Sequence, residues 1–184
     1  MVRNAHHILS DERGVAATEF AFLLPILLLL VMGIYESTRF VLFSQKLDRV
    51  AYTVADVTAQ QTAVTNADLS DIVTAATKIM EPYEFGELGR VIISSVYQDP
   101  DDGPVVRWQY AGGGTLPRDS LIGDPGEPAT LPDGFTLNDE DNVIVAEVFY
   151  YYTPPFSEDY LSTRENYKTA VFKPRFGALT TAPN

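Results

Sequence analysis

Residues 15–35 read VAATEFAFLLPILLLLVMGIY, and from residue 20 to residue 35 no charge interrupts them. A helix of about 20 apolar residues crosses the hydrocarbon core of a bilayer, so residues 15–35 predict a transmembrane segment with one acid, Glu19, near its start. Pro25 lacks a backbone N–H and predicts one missing hydrogen bond and a bend. A cleaved secretory signal is the first competitor. The run is long for a signal's apolar region, and Gly33-Ile34-Tyr35-Glu36-Ser37 offers no small-x-small cleavage site.

Working outward, the helical pattern continues past Tyr35. Phe40, Phe43, Leu47, Val50, Val54 and Val57 follow at steps of three and four, which places them on one stripe. Ser44, Gln45, Lys46, Asp48, Arg49 and Asp56 make the other faces polar. Residues 36–61 therefore predict an amphipathic helix running on from the membrane segment. Packing of its stripe against its own domain is favoured over an intermolecular coiled coil.

Residues 62–184 predict a domain of a different kind. Asn66 is placed to cap a second helix, with Leu69, Ile72, Val73, Ala76, Ile79 and Met80 at helical spacing and Pro82 beyond it. Four extended segments follow, at residues 90–97, 105–110, 143–152 and 167–172. In the third, Ile144, Ala146, Val148, Tyr150 and Tyr152 share one face and Glu147 marks the other, as expected of a sheet with one buried face. The fold class is α+β: a long N-terminal helix, a second helix and a small antiparallel sheet.

Composition excludes several chemistries. The chain has 184 residues and a formal charge of −12, which disfavours a nucleic-acid partner. It has no cysteine, and its two histidines, His6 and His7, sit together near the start. With that end removed no imidazole remains to activate a serine or threonine, so no enzymatic activity is expected. Residues 98–142 form acid-rich loops. Asp99-Pro100-Asp101-Asp102-Gly103 and Asp139-Glu140-Asp141-Asn142 raise calcium as a candidate, yet neither completes a calcium-loop spacing, and solvated turns are expected with no metal or cofactor. Gly112-Gly113-Gly114 lacks the Gly-Lys-Ser/Thr of a phosphate loop and reads as a flexible linker. Tyr150 and Tyr152 read as core residues, with Tyr151 on the opposite side.

The residues just before the apolar run are the most specific signal. Asp11-Glu12-Arg13-Gly14-Val15-Ala16-Ala17-Thr18-Glu19-Phe20 sets a glycine before small residues, then an acid and an aromatic. This resembles the processing site of type IV pilin-like proteins, most closely the TadE-like minor pseudopilins of the tight-adherence (Tad) pilus machinery. Residues 143–154 and 170–177 resemble that family's late strand and closing strand with basic tail.

The resemblance implies a pilin-like fold and cleavage by a prepilin peptidase between Gly14 and Val15, with residues 1–14 as the leader. Glu19 and Phe20 would be assembly residues, Glu19 pairing with an N-terminal amine. Partners would be other pilins or minor pseudopilins and the inner-membrane assembly platform. The implied location is the bacterial inner membrane, N-terminus inside before cleavage, the C-terminal domain periplasmic and able to enter the pilus. Basic residues do not decide the orientation: Arg3 and Arg13 precede the span, and Arg39, Lys46 and Arg49 follow it. A signal-anchored periplasmic binding module without a pilus role is the alternative.

Overall fold

A computed structural model describes residues 13–132, 134–156 and 164–184. The expected leader, residues 1–14, lies outside this range apart from its last two residues, as do His6 and His7. Helix α1 spans Arg13–Ala59 and carries Pro25 in its interior. The chain divides into two units between Phe40 and Val41.

In the first unit the helix is apolar on every side from residue 20 to residue 35, and those residues are exposed. Phe22 is 77% exposed and Leu29 70%. The second unit begins with the amphipathic part of α1. Phe43, Leu47, Val50 and Val54 are fully buried there, joined by Ala51, Ala55 and Ala59. Each large side chain so buried contributes about 1.5–3 kcal/mol.

Helix α2, Asn66–Thr77, begins one residue earlier in its capping than the sequence predicts. Thr65 is the cap: its hydroxyl accepts the Asp68 N–H at 3.2 Å, and the Asp68 carboxylate accepts the Thr65 N–H at 2.9 Å. This reciprocal pair satisfies two donors that the helix leaves open, which a single cap at Asn66 does not. A 3-10 turn at Lys78–Met80 continues the helix. Lys46 of α1 closes that turn by donating to the Ile79 and Glu81 carbonyls at 2.9 and 2.7 Å.

Four strands follow: β1 (Gly89–Asp99), β2 (Gly103–Gly112), β3 (Asn142–Tyr152) and β4 (Arg164–Phe172). They form one antiparallel sheet in the order β2-β1-β3-β4. The arrangement is thus α+β, a long helix, a short helix and a four-stranded sheet.

Alternation along the strands assigns the two faces. Val91, Ile93, Ile144, Ala146, Val148, Tyr150 and Tyr152 pack on the helices. Phe43 sits among three rings of this layer, 5.3 Å from Tyr83, 4.9 Å from Tyr150 and 4.6 Å from Tyr152. The second face departs from expectation. Segment 113–141 covers it, burying Ile122 with Val96, Val106, Val143 and Val145, and Leu116 with Ile92 and Phe149. The sheet is therefore sandwiched, and Glu147, read from sequence as marking an open face, has no exposed surface.

The three glycines at residues 112–114 are likewise no loose linker. A Cβ on Gly114 would stand 2.2 Å from the Gly89 carbonyl oxygen and 2.3 Å from that of Gly86. The turn needs a residue without a side chain because two backbones meet there. Thr115 N–H donates to Gly86 O at 2.9 Å and anchors the start of the cover.

Residues 173–184 close the second unit. Leu179 is buried, its carbonyl accepting from the Ser95 hydroxyl and the Trp108 indole at 2.7 Å each. Arg175 joins the last turn of α1, its N–H on Ala59 O at 3.0 Å and its guanidinium on Asp56 at 2.6 Å.

Candidate membrane anchor and processing site

Gly14 lies in the first turn of α1. Its carbonyl accepts the Thr18 hydroxyl at 2.6 Å. A Cβ built on it would meet no atom within 4 Å. The described residues leave room for a Cβ at this position, and a glycine inside a helix costs about 0.5–1 kcal/mol relative to alanine. Val15 and Phe20 are exposed, at 57% and 58%. Val15 and Glu19 are four residues apart, so they share one helix face.

The helix from Gly14 onward contains an 18-residue window of mean hydropathy 2.4 with none of it buried. Its length and composition are those of a membrane anchor. At the far end of the apolar run the Arg39 guanidinium lies 5.9 Å from the Tyr35 ring centre. An amphipathic aromatic beside a cation is the pairing found at a membrane–water boundary.

The predicted packing stripe divides by position. Phe43, Leu47, Val50 and Val54 are fully buried, Val57 is half-buried, and Phe40 is 41% exposed. Thr58, between the last two turns, is buried as well.

A polar cluster that the sequence reading missed lies in the second unit. Glu147 Oε1 accepts the Leu121 N–H at 2.9 Å and the Tyr167 hydroxyl at 3.1 Å, and Ser120 Oγ bonds Oε2. Burial raises the Glu147 pKa above the ordinary carboxylate value, against these hydrogen bonds, which lower it. The same burial, with the neighbouring carboxylate, raises Tyr167. A signal was present in the sequence. On its own face of the strand Glu147 stands between Val145 and Phe149, so a covered face was legible from its neighbours. Two further acids of this region are paired: Arg107 meets Asp99 at 3.2 Å, and Lys173 pairs with Asp141. Among the described residues no three His, Cys, Asp or Glu side chains converge as a metal group would need.

An unburied apolar helix opening on Gly14 and Glu19 and running into an α+β unit defines an N-terminally anchored protein. Residues 14–56 match the model of the TadE-like protein family. That match covers Gly14, Glu19 and Phe20, the apolar run and most of the buried stripe, in agreement with the resemblance read from residues 11–20. No curated protein and no solved structure matches the chain.

Proposed function

We propose that this chain is a minor pseudopilin that assists initiation or assembly of a tight-adherence pilus. In this reading residues 15–35 hold it in the bacterial inner membrane, the C-terminal domain is periplasmic, and a prepilin peptidase cuts between Gly14 and Val15. The observation that carries the reading is the glycine at position 14. The fold leaves open space where its side chain would be, so an outside agent accounts for it: a peptidase must bring catalytic groups against the backbone, and a Cβ obstructs that approach.

Cleavage would place a new α-amine at Val15, on the same helix face as Glu19. An acid in an apolar helix is unfavourable at roughly 2.5–3.5 kcal/mol near a bilayer centre. A cation one turn away offsets that cost, in the same subunit or in a neighbour whose helix packs alongside. Phe20 opens the apolar surface for that packing. The partners are other pilins or minor pseudopilins and the inner-membrane assembly platform, and the role is structural rather than enzymatic.

The test is the intact mass of the chain extracted from membranes of the native host. A start at Val15 supports the reading. A retained leader removes it and favours a signal-anchored periplasmic binding module.

A further inference from the structure

Segment 113–141 is a long connection whose described residues form no helix or strand apart from the bridge of Pro128 to Val105. Connections beyond about 12–15 residues without secondary structure are uncommon in a compact unit and commonly functional. This one lies on the outer face of the sheet, seated by Leu116 and Ile122. Polar attachments hold it along its length. Gln109 donates to the Gly123 carbonyl at 2.7 Å, and Arg118 pairs with Glu165 and the Tyr151 hydroxyl.

Between these two attachments stands Glu147. It reaches from the middle of β3 into the cover and accepts from the Leu121 main chain and the Ser120 hydroxyl, and that hydroxyl in turn accepts the Ile122 N–H at 3.0 Å. From β4 the Tyr167 hydroxyl faces it, and its register partner there is Thr169. From β1 its register partner is the apolar Ile92, and by strand alternation Ser94 and the cation Arg90, which stands opposite Phe149, share that face. On the cover's side Arg118 is engaged with Glu165, and Asp119 is the remaining ionisable group nearby. No cation among the described residues bonds to Glu147.

We propose that Glu147 is a proton-operated latch: protonated, it keeps the cover seated on the sheet, and its deprotonation loosens residues 116–122 and uncovers the apolar outer face. A fully enclosed carboxylate with no cation bonded to it is disfavoured in its charged form, and here burial outweighs the three donors that favour the charge. Opening the cover returns it to water, where the charge is solvated. The direction follows from linkage: a group whose pKa is raised in the closed state contributes stability below its ordinary value of 4.5 and loses it as pH rises through the raised value. The cover is tightest in acid and loosens toward neutral and alkaline pH. This device stands independently of the pilus reading.

The experiment is amide hydrogen exchange of Leu121 and Ile122 in the full chain in detergent micelles, with rates divided by the intrinsic rate at each pH. Protection should fall by about tenfold between pH 5 and pH 8.5, while amides of β1 hold steady. Glu147→Gln has the same shape and no titration, so its profile should be flat. A flat wild-type profile, or a parallel fall in E147Q, overturns the latch. If E147Q does not fold, Ser120→Ala decides: it removes a donor that favours the carboxylate, so the loosening should move to higher pH, and an unmoved profile overturns the proposal.

Discussion

Asn142 holds Leu179 by its main chain: the Asn142 side-chain oxygen accepts the Leu179 N–H at 2.7 Å, across a gap of 37 residues. The amide nitrogen of Asn142 donates to Ser95 Oγ and Val96 O at 2.9 Å each. One buried amide thus ties the closing tail to β1. Asn142→Ala strands several buried polar groups at once, each costing about 1–3 kcal/mol. Unfolding free energy should fall by about 2–4 kcal/mol and Tm by roughly 5–15 °C. Lys78→Ala breaks an exposed pair with Glu81 at 3.8 Å and should leave Tm unchanged. Thermal melts of the two variants side by side check the contrast.

Adjacent residues of α1 should differ sharply. Phe43 is fully buried among three tyrosines, and Leu42 is 50% exposed. Phe43→Ala should cost about 3–5 kcal/mol. Leu42→Ala should stay within about 0.5 kcal/mol. Denaturant titration followed by tryptophan emission is a suitable readout, since Trp108 lies in the same core cluster. Equal costs would contradict the assignment of the buried face.

Gly14→Arg should leave the chain full-length in the membrane. No described atom lies within 4 Å of a Cβ there, so the substitution disturbs no described contact and loss of processing points to the peptidase. Immunoblot mobility and intact mass report it. Normal processing of this variant would remove the site assignment.

Glu19→Ala should separate cleavage from assembly. The variant keeps Gly14 and loses an insertion cost, so it should enter the membrane and be processed. What it lacks is the partner of an amine buried between packed helices, a loss of about 3–5 kcal/mol for a truly buried pair. Pilus formation in a complemented deletion strain should be poor. Full complementation would leave Glu19 no role beyond the headgroup zone.

Millimolar Ca²⁺ should not shift the melting of the full chain relative to chelator. A ligand raises Tm by binding the native state, and among the described acids of residues 98–142 Asp99 and Asp141 are held in ion pairs with Arg107 and Lys173. A rise of several degrees would reveal a calcium site.

The elements with strict periodicity were legible in the sequence. The α1 stripe at steps of three and four and the alternation of Ile144, Ala146 and Val148 announce their faces because 3.6 and 2 are the periods of the backbone itself. The α2 cap was misplaced by one residue, since Thr65 and Asn66 are both good caps and the reciprocal partner Asp68 decides between them. What the sequence did not disclose was which residues supply the cover on the second face. Leu116, Ile122, Leu131 and Leu137 carry no period, so a cover built from irregular chain leaves no pattern. The glycine turn at residues 112–114 failed for a related reason: glycine marks both loose chain and close backbone approach, and the contact with Gly86 and Gly89 is set by tertiary packing. At the anchor, the order of Gly14, Glu19 and Phe20 was readable because that signal is linear.

The contacts that close the domain are long in sequence, and this fixes when folding can finish. Lys168 reaches Asp48 across 120 residues and Arg175 reaches Asp56 across 119. The stripe of α1 therefore emerges from synthesis well before the strands that bury it, and the tail that seals β1 comes last. Distant pairings of this kind make folding slow and leave apolar surface open meanwhile. Completion of the domain must await synthesis of Arg175 and Leu179, so truncation within residues 173–179 should yield a protein that inserts normally and is then degraded.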